Sequence, residues 1–527
     1  MNKGLARARL PKPDQSGDYR NAVLTFAFFW CVAGYRYFVN AGIETVPIIE
    51  RAVSSQYMKN DYYLNLIADT VHHRYLYVEF LAALARLVGG VENAMLVAYL
   101  VSYALLFERL SGFVKSLSEF RNVQLATMLV ATLFLYYGLS RLSPGDVGLM
   151  PNETTSNLFA RAILVSGLVA AMTARTNLSL GLLVVAACFH PLEALLAYPV
   201  FAALTVLGVR GASGVPGKAV ILQAALWFLP LTAVVLVFSS GTLMGENDPA
   251  TVERAFARRL NHHYLPTAWP WWSWIFAVSI AAAGTLSLRS RGLNGLAIAC
   301  LCSTGCFVIY LPALMLLGGT WLLSLQGAKV MMLPYVVWVL SIVAGLIGRG
   351  TQGLQRLSLS RGYAVTLVIV LGGGAIAALA VLPPALLGHA QRQAESVLSF
   401  NYRTADSYVG NSEAGLYRWL ASHTEPEAVI LHPPELQMIR PLAQRSSVVQ
   451  AKLIGFTVPA MRQWLERMDS LENYCRRDIG ELREIARRYG ADWIVRPVYC
   501  PDAVGEEPAY ANPDWLVLRT DTAKTKP

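Results

Sequence analysis

Apolar runs of roughly 15–25 residues recur along this chain, set apart by short basic turns and by a few longer polar segments. The runs fall near 21–40, 93–107, 122–138, 158–173, 178–207, 219–238, 271–287, 293–315, 330–348 and 363–386. The run 178–207 is broken by His190–Pro191 and again by Pro199. It predicts a helical hairpin with its apex at 189–193, short for two full crossings. Counting the hairpin as two, the pattern predicts a bundle of about eleven spans. The stretch 318–329 (GGTWLLSLQGAK) reads as a short loop or half-helix.

Three stretches break this rhythm. The first is 43–74 (IETVPIIERAVSSQYMKNDYYLNLIADTVHHR), charged, aromatic and longer than a change of direction requires. After it Tyr75–Val88 is amphipathic, interrupted by Glu79 and Arg86, and predicts an interfacial helix. The second is the polar loop 239–270. The third is the tail from 387, where short alternating stretches at 428–431, 447–450, 492–496 and 515–519 predict strands. Helical patterns at 413–423, 459–472 and 479–489 lie between them, so the tail reads as a small α/β domain with a partly parallel sheet. The predicted organisation is therefore a mainly α chain in three parts. These are a tail at 1–20, a transmembrane bundle at 21–386 with long outer loops 41–92 and 239–270, and an α/β domain at 387–527.

Composition sharpens this. Of 527 residues, 55% are hydrophobic and 15% charged, against about 25% charged in a typical soluble domain. The net charge of +10 belongs to membrane topology rather than to nucleic-acid binding. Lys and Arg collect in the N-terminal segment and in the turns near 109–121, 175, 210–218, 289–291 and 349–361. That bias predicts a cytoplasmic N-terminus and, after an odd number of crossings, an extracytoplasmic C-terminal domain. No small-residue cleavage site follows the first run, which predicts a retained span. Cys31, Cys188, Cys300, Cys302 and Cys306 sit in apolar segments and read as small hydrophobes. Cys475 and Cys500 lie in the tail, where an oxidising compartment would let them pair.

The candidate chemistry lies at the outer ends of the spans. Asp61, in MKNDYYLN, is a general base for a hydroxyl, or else a solvated loop residue or a helix cap. Glu44 and Glu50 are the alternative carboxylates, and Glu44, close to the first run, is placed where its pKa would rise. The stretch RAFARRLNHHYLP supplies Arg254, Arg258, Arg259, His262, His263 and Tyr264. Guanidinium forks with neighbouring imidazoles suit a phosphate at the membrane surface; the same residues also suit an interfacial helix touching lipid headgroups. Adjacent histidines point apart on a helix and make no metal site alone. No cofactor is certain, and a divalent metal held with Asp61 stays open. His190 and Glu193 interrupt an apolar hairpin, as structural polar groups or as part of a cavity. Arg161 and Glu153 either pair or face a cavity, and Lys329 either reaches a phosphate or snorkels. Arg74 joins the substrate-binding candidates. His432 and Lys452 read as structural in the tail or as facing a cavity on its membrane side, and no Gly-rich phosphate fingerprint follows a strand.

This layout resembles the GT-C superfamily of membrane glycosyltransferases. The matching parts are NDYY in the first outer loop, the broken FHPLEAL hairpin, the RRLNHHYLP segment and the outer tail with LYRWLASHTEPEAVILHPPE and YGADWIVRP. The same tail resembles uncharacterised bacterial membrane proteins. The resemblance implies a bacterial inner-membrane enzyme of the cell envelope. It would move a sugar from a polyprenyl-phosphate donor to a glycan, lipid or protein acceptor on the outer face, with inversion. In that reading Asp61, or Glu44 or Glu50, deprotonates the acceptor, while Arg258, Arg259, His262 and His263 hold the donor phosphate. Two other classes stand beside it: a transporter or flippase of a lipid-linked or polar solute, and an inactive scaffold for envelope glycan assembly. No internal repeat is visible, which weighs against an inverted-repeat transporter.

Overall fold

The apolar runs up to residue 348 fold as helix in a computed structural model of the chain, the first of them, expected over 21–40, only as far as Ala33. That structure describes residues 19–39, 41–68, 70–145, 147–173, 175–212, 217–243, 246–317, 320–356, 402–501 and 507–521. The helices are Tyr19–Ala33, Val91–Leu117, Arg121–Leu133, Ser156–Met172, Thr176–Phe189, Pro191–Ala212, Gly217–Leu243, Trp271–Ser290, Asn294–Leu317 and Met332–Arg356. The span expected at 363–386 lies outside the described residues. Among the described residues four helices are long and apolar enough to cross a bilayer: Val91–Leu117, Trp271–Ser290, Asn294–Leu317 and Gly327–Thr351. They differ in surroundings. The apolar window of Gly327–Thr351 is 83% buried in protein, whereas that of Asn294–Leu317 is only 22% buried. Ile298, Val308, Ile309, Met315 and Leu316 project from the latter helix, a continuous apolar face that suits lipid and not water.

The chain divides into two compact units. The first comprises Met1–Tyr35, Val97–Ser239 and Leu260–Tyr402. Here Trp271–Ser290 packs on Met332–Arg356, and Gly284 is what lets them approach. A Cβ on Gly284 would stand 2.3 Å from the Trp338 side chain. Ser156–Met172, capped by Thr155 accepting from the Leu158 N–H at 3.1 Å, packs on Thr176–Phe189 and Pro191–Ala212. The expected break between those two helices is real and local. Pro191 forces His190 out of helical backbone (φ −151°) and then starts the next helix, where its missing N–H costs nothing. The His190 Nδ1 accepts from the Glu193 N–H at 3.2 Å and so caps the new helix. The run 318–329 holds a short helix, Thr320–Ser324, and a 3-10 turn, Gly327–Met331.

The second unit comprises Arg36–Leu96, Ser240–Arg259 and Arg403–Pro527. Its first segment carries the helices Gly42–Val53, Tyr62–Ala68 and Tyr75–Val88. The amphipathic helix has the expected bounds, buries Tyr77, Val78, Leu81, Ala82 and Ala85, and stops at Gly89 in the left-handed region (φ +81°). Half of the segment 239–270, expected as a long polar loop, is the helix Pro249–Tyr264, which crosses the division of the chain after Arg259. Asp248 explains its start, since its carboxylate accepts from the Thr251 N–H at 3.0 Å and from the Thr251 hydroxyl at 2.6 Å.

The tail of the second unit forms a five-stranded sheet of β1 (Val429–Leu431), β2 (Ser446–Ser447), β3 (Trp493–Pro497), β4 (Tyr510–Ala511) and β5 (Trp515–Arg519). The order is β2-β1-β3-β5-β4. β1 runs parallel to both β2 and β3, and β5 is antiparallel to β3 and β4. The partly parallel sheet is as expected; β4 was not anticipated, because two residues carry no alternation. The helices Asn411–His423, Val458–Ser470 and Ile479–Arg488 accompany it, the last two capped by Thr457 and Asp478. Leu416, Leu420, Ile430, Ile439, Val495 and Val517 form the core. Cys475 and Cys500 are disulfide-bonded with Cα atoms 4.8 Å apart. Closing a loop of 25 residues restricts the unfolded chain, and reduction is expected to cost about 3 kcal/mol. A fall in unfolding midpoint on adding dithiothreitol, absent in the Cys475→Ser/Cys500→Ser double variant, checks this.

Candidate functional site

Glu44 stands in the first turn of Gly42–Val53, where two other elements of the second unit deliver arginines to it. Arg74 immediately precedes helix Tyr75–Val88, and its Nη1 donates to the Glu44 Oε2 at 2.7 Å. Arg259, from Pro249–Tyr264, donates through Nη2 to Oε1 at 2.5 Å. Glu44 is 5% exposed. Burial pushes its carboxyl up, and Arg259 and Arg74 together outweigh this, so its pKa lies below the usual value. That corrects the expected rise, which considered burial without the two cations. One carboxylate between two guanidiniums leaves a net positive cluster. The Nε of Arg259 and the hydroxyl of Tyr63 are both buried without a hydrogen-bond partner, and Tyr63 lies within electrostatic reach of Glu44, Arg74 and Arg259. The site thus retains donors for an anionic oxygen. His72 accepts from the Arg74 N–H through Nδ1 at 3.1 Å, and Phe456 packs against His72, His73 and Arg74.

Asp61 occupies a different environment in the same unit. It is fully buried. Its Oδ1 caps helix Tyr62–Ala68, accepting from the N–H groups of Tyr63 and Leu64 at 3.1 Å each. Its Oδ2 accepts from Arg440 Nε at 2.8 Å and Nη2 at 2.6 Å, and from the Ser447 N–H at 3.1 Å. With five donors on two oxygens, Asp61 pins the segment Arg36–Leu96 to the edge of the sheet. Removing a proton from a hydroxyl at this position would require the Arg440 pair to open. Ser447 also meets His432, whose Nε2 lies 2.5 Å from the Ser447 Oγ. Glu50, half-buried in the last turn of Gly42–Val53, has a pKa raised by burial.

His72 and His432 share an acid sensitivity. Burial, with the nearby Arg74, pushes His72 down to about 4. Burial also pushes His432 down to about 4, against a hydrogen bond to the Pro433 carbonyl and with help from Arg440. Both stay neutral when folded and protonate near 6.5 when unfolded. Their contribution to stability is present above pH 6.5 and is lost as pH falls towards 4. Glu44, with its lowered pKa, acts in the same direction at still lower pH. Denaturant midpoints of the purified protein are therefore expected to drop between pH 6.5 and 4, and the drop should shrink in His72→Gln.

The arginines of RRLNHHYLP separate. Arg254 donates to both Asp469 oxygens at 3.0 and 2.9 Å, and Arg258 to Asp469 Oδ1 at 2.6 Å. Arg259, one position on and so about 100° round the helix, turns to Glu44 instead. Described within the first unit, His263 Nδ1 lies 3.1 Å from the Gly145 carbonyl, and the Tyr264 hydroxyl accepts from Gln326. The side chain of His262 lies outside the described residues. The adjacent loop needs glycine at 145: φ is +72°, and a Cβ would meet the Ala328 Cβ at 2.5 Å.

The remaining candidates gather inside the first unit. Glu193, 1% exposed, accepts through Oε1 from Arg161 Nη2 at 2.6 Å, with Lys329 Nζ at 3.7 Å from the same oxygen. Arg161 Nη1 also donates to the Gly148 carbonyl at 2.5 Å. The Glu193 Oε2 and the Arg161 Nε are buried without a partner. Glu153 and His190 are buried in the same unit. The sequence reads Glu193 as a structural polar group or part of a cavity, without its partners. The signal for its role was the spacing His190-Pro191-x-Glu193, which sets the carboxylate in the first turn after a forced break. Arg440 and Asp469 carried no such signal, because their partners lie hundreds of residues away. Among the described residues no group of three or more His, Cys, Asp or Glu could hold a metal ion.

Fold and composition define a mainly helical, membrane-type protein with a small α/β region, and the charged clusters suit binding of an anionic group. Residues 412–471, which include Arg440, Ser447, Gln450 and Asp469, match the model of a domain of unknown function, DUF6798. No curated protein sequence matches the chain. Among solved structures the chain is similar to the Archaeoglobus fulgidus oligosaccharyltransferase, crystallised tethered to an acceptor peptide containing the NVT sequon. The identity is 11% and the TM-score 0.41, over 91% of this chain and 69% of that one.

Proposed function

We propose that the chain is a membrane glycosyltransferase of the GT-C type. It transfers a sugar from a polyprenyl-phosphate donor to an acceptor on the outer face of the bacterial inner membrane, with inversion. The observation that supports this most is Glu44 held by Arg74 and Arg259, next to the unpartnered Tyr63 hydroxyl. A carboxylate beside two guanidiniums brings together the groups such a reaction needs. The carboxylate takes the proton of the attacking hydroxyl, and the guanidiniums take charge growing on the departing phosphate. Of the three acids singled out from the sequence, Glu44 is the one set among cations that would accept a phosphate. Asp61 then orders the segment, and Glu50 stands apart. The test is the envelope glycan profile of cells carrying Glu44 variants, with membrane abundance followed alongside.

A second reading, a transporter or flippase of a lipid-linked or polar solute, draws on Glu193, Arg161 and Lys329, charges buried among apolar helices. Flux of a fluorescent lipid-linked sugar in proteoliposomes separates the two. A transporter would lose flux in Glu193→Gln and keep it in Glu44→Gln.

A further inference from the structure

Three of the basic turns that the sequence assigns to one side of the membrane meet in the first unit. Lys115 lies in the last turn of Val91–Leu117, Arg121 begins the next helix, Arg291 follows Trp271–Ser290, and Arg349 lies near the end of Met332–Arg356. All four border a single cleft of about 1350 Å³, in which Glu119 is the one acid. Loop charge that sets topology explains why each turn is basic, but not why they converge on one cavity. The walls grade from polar to apolar. Ser287 and Ser290 line the cleft beside Arg291, and Leu286, which is 67% exposed, continues it along the helix. Arg291 is half-buried and fixed, its Nη1 donating to the Ser287 carbonyl at 2.9 Å and to the Ser287 hydroxyl at 2.5 Å. Arg349 is exposed, and its charge opposes that of Arg291. Gly345, one turn before Arg349, leaves space under the Arg291 guanidinium, for a Cβ there would stand 3.0 Å from Nη2.

We propose that this cleft binds the phosphate of an anionic membrane lipid, with Arg291 and Arg349 gripping the headgroup and the wall along Leu286 receiving an acyl chain. Two like charges beside one cavity favour an anion between them, and planar guanidiniums meet phosphate oxygens in pairs. The apolar wall favours a lipid over a free phosphate. The site is separate from Glu44, and its test does not depend on the transferase reading.

The experiment is native mass spectrometry of the purified full-length chain with added phosphatidylglycerol, phosphatidylcholine or inorganic phosphate. Phosphatidylglycerol is expected to be retained over phosphatidylcholine. Arg349→Ala should weaken that retention about fivefold, roughly the contribution of one basic residue at a membrane surface. Gly345→Leu, which fills the space without removing charge, should weaken it too. Arg175→Ala, in a basic turn that does not border the cleft, should leave it unchanged. Equal retention of both lipids, or an equal loss in Arg175→Ala, would overturn the proposal. So would displacement of phosphatidylglycerol by an equal concentration of inorganic phosphate, which would make the site one for a free anion.

Discussion

Glu44→Gln is expected to lower sugar transfer by about 10²–10⁴-fold, the range associated with loss of a positioned acid or base. The amide keeps one acceptor oxygen for Arg74 or Arg259, and those arginine side chains are 19% and 12% exposed, so water can satisfy what the amide does not. Abundance in the membrane should therefore fall much less than transfer. Glu44→Asp retains the charge on a shorter arm and should recover part of the activity, which an amide of full length should not. Arg74→Gln and Arg259→Gln are expected to weaken apparent donor affinity as well as rate, because a phosphate is bound before it leaves. Unchanged glycans with Glu44→Gln at normal abundance would remove this residue from the chemistry.

The largest stability effect is expected at Asp61. Asp61→Ala leaves the fully buried Arg440 guanidinium without its carboxylate and uncaps helix Tyr62–Ala68. Breaking a buried pair on one side costs about 3–5 kcal/mol. Arg440→Ala strands the carboxylate and should cost a similar amount. Replacing both, as in Asp61→Ala/Arg440→Met, should cost less than the sum, since neither charge is then orphaned. Limited trypsin digestion and denaturant unfolding of the purified variants measure these losses. Loss of transfer in an Asp61 variant is informative only alongside that measurement. An Asp61→Ala protein as stable as the wild type and inactive would make Asp61 the base and dismiss its role as a clamp.

Helices and strands were legible to the extent that periodicity carries them. Long apolar runs, the stripe of Tyr75–Val88 and the cap-and-break chemistry of His190–Pro191 are local, so neighbouring residues suffice to see them. Pro249–Tyr264 lay within a segment read as a polar outer loop, with an interfacial helix as one reading of its arginines, because its buried positions Val252, Ala255 and Phe256 are few among charged neighbours. Within the candidate site, residue types were readable but partnerships were not. Arg254, Arg258 and Arg259 look equivalent in a string. Only the helical turn between them sends two to Asp469 and one to Glu44. Asp61 carried three readings from the sequence, base, solvated loop residue or cap; its full burial removes the second, and the weight of the cap came from Arg440, which lies 379 positions further on.

That separation has a consequence for how the molecule is made. The second unit is stitched from the segments Arg36–Leu96, Ser240–Arg259 and Arg403–Pro527, so it cannot close as the chain emerges. At about 5–20 residues per second, synthesis separates Asp61 from Arg440 by roughly 20–75 s. Throughout that interval a carboxylate destined for a dry interior waits in water beside an unfinished helix cap. The ion pair between Asp61 and Arg440 can therefore form only after the chain has been made as far as the sheet. A chain truncated before the sheet would carry Asp61 without Arg440, and its segment Arg36–Leu96 is expected to be cut by trypsin faster than that of the full chain.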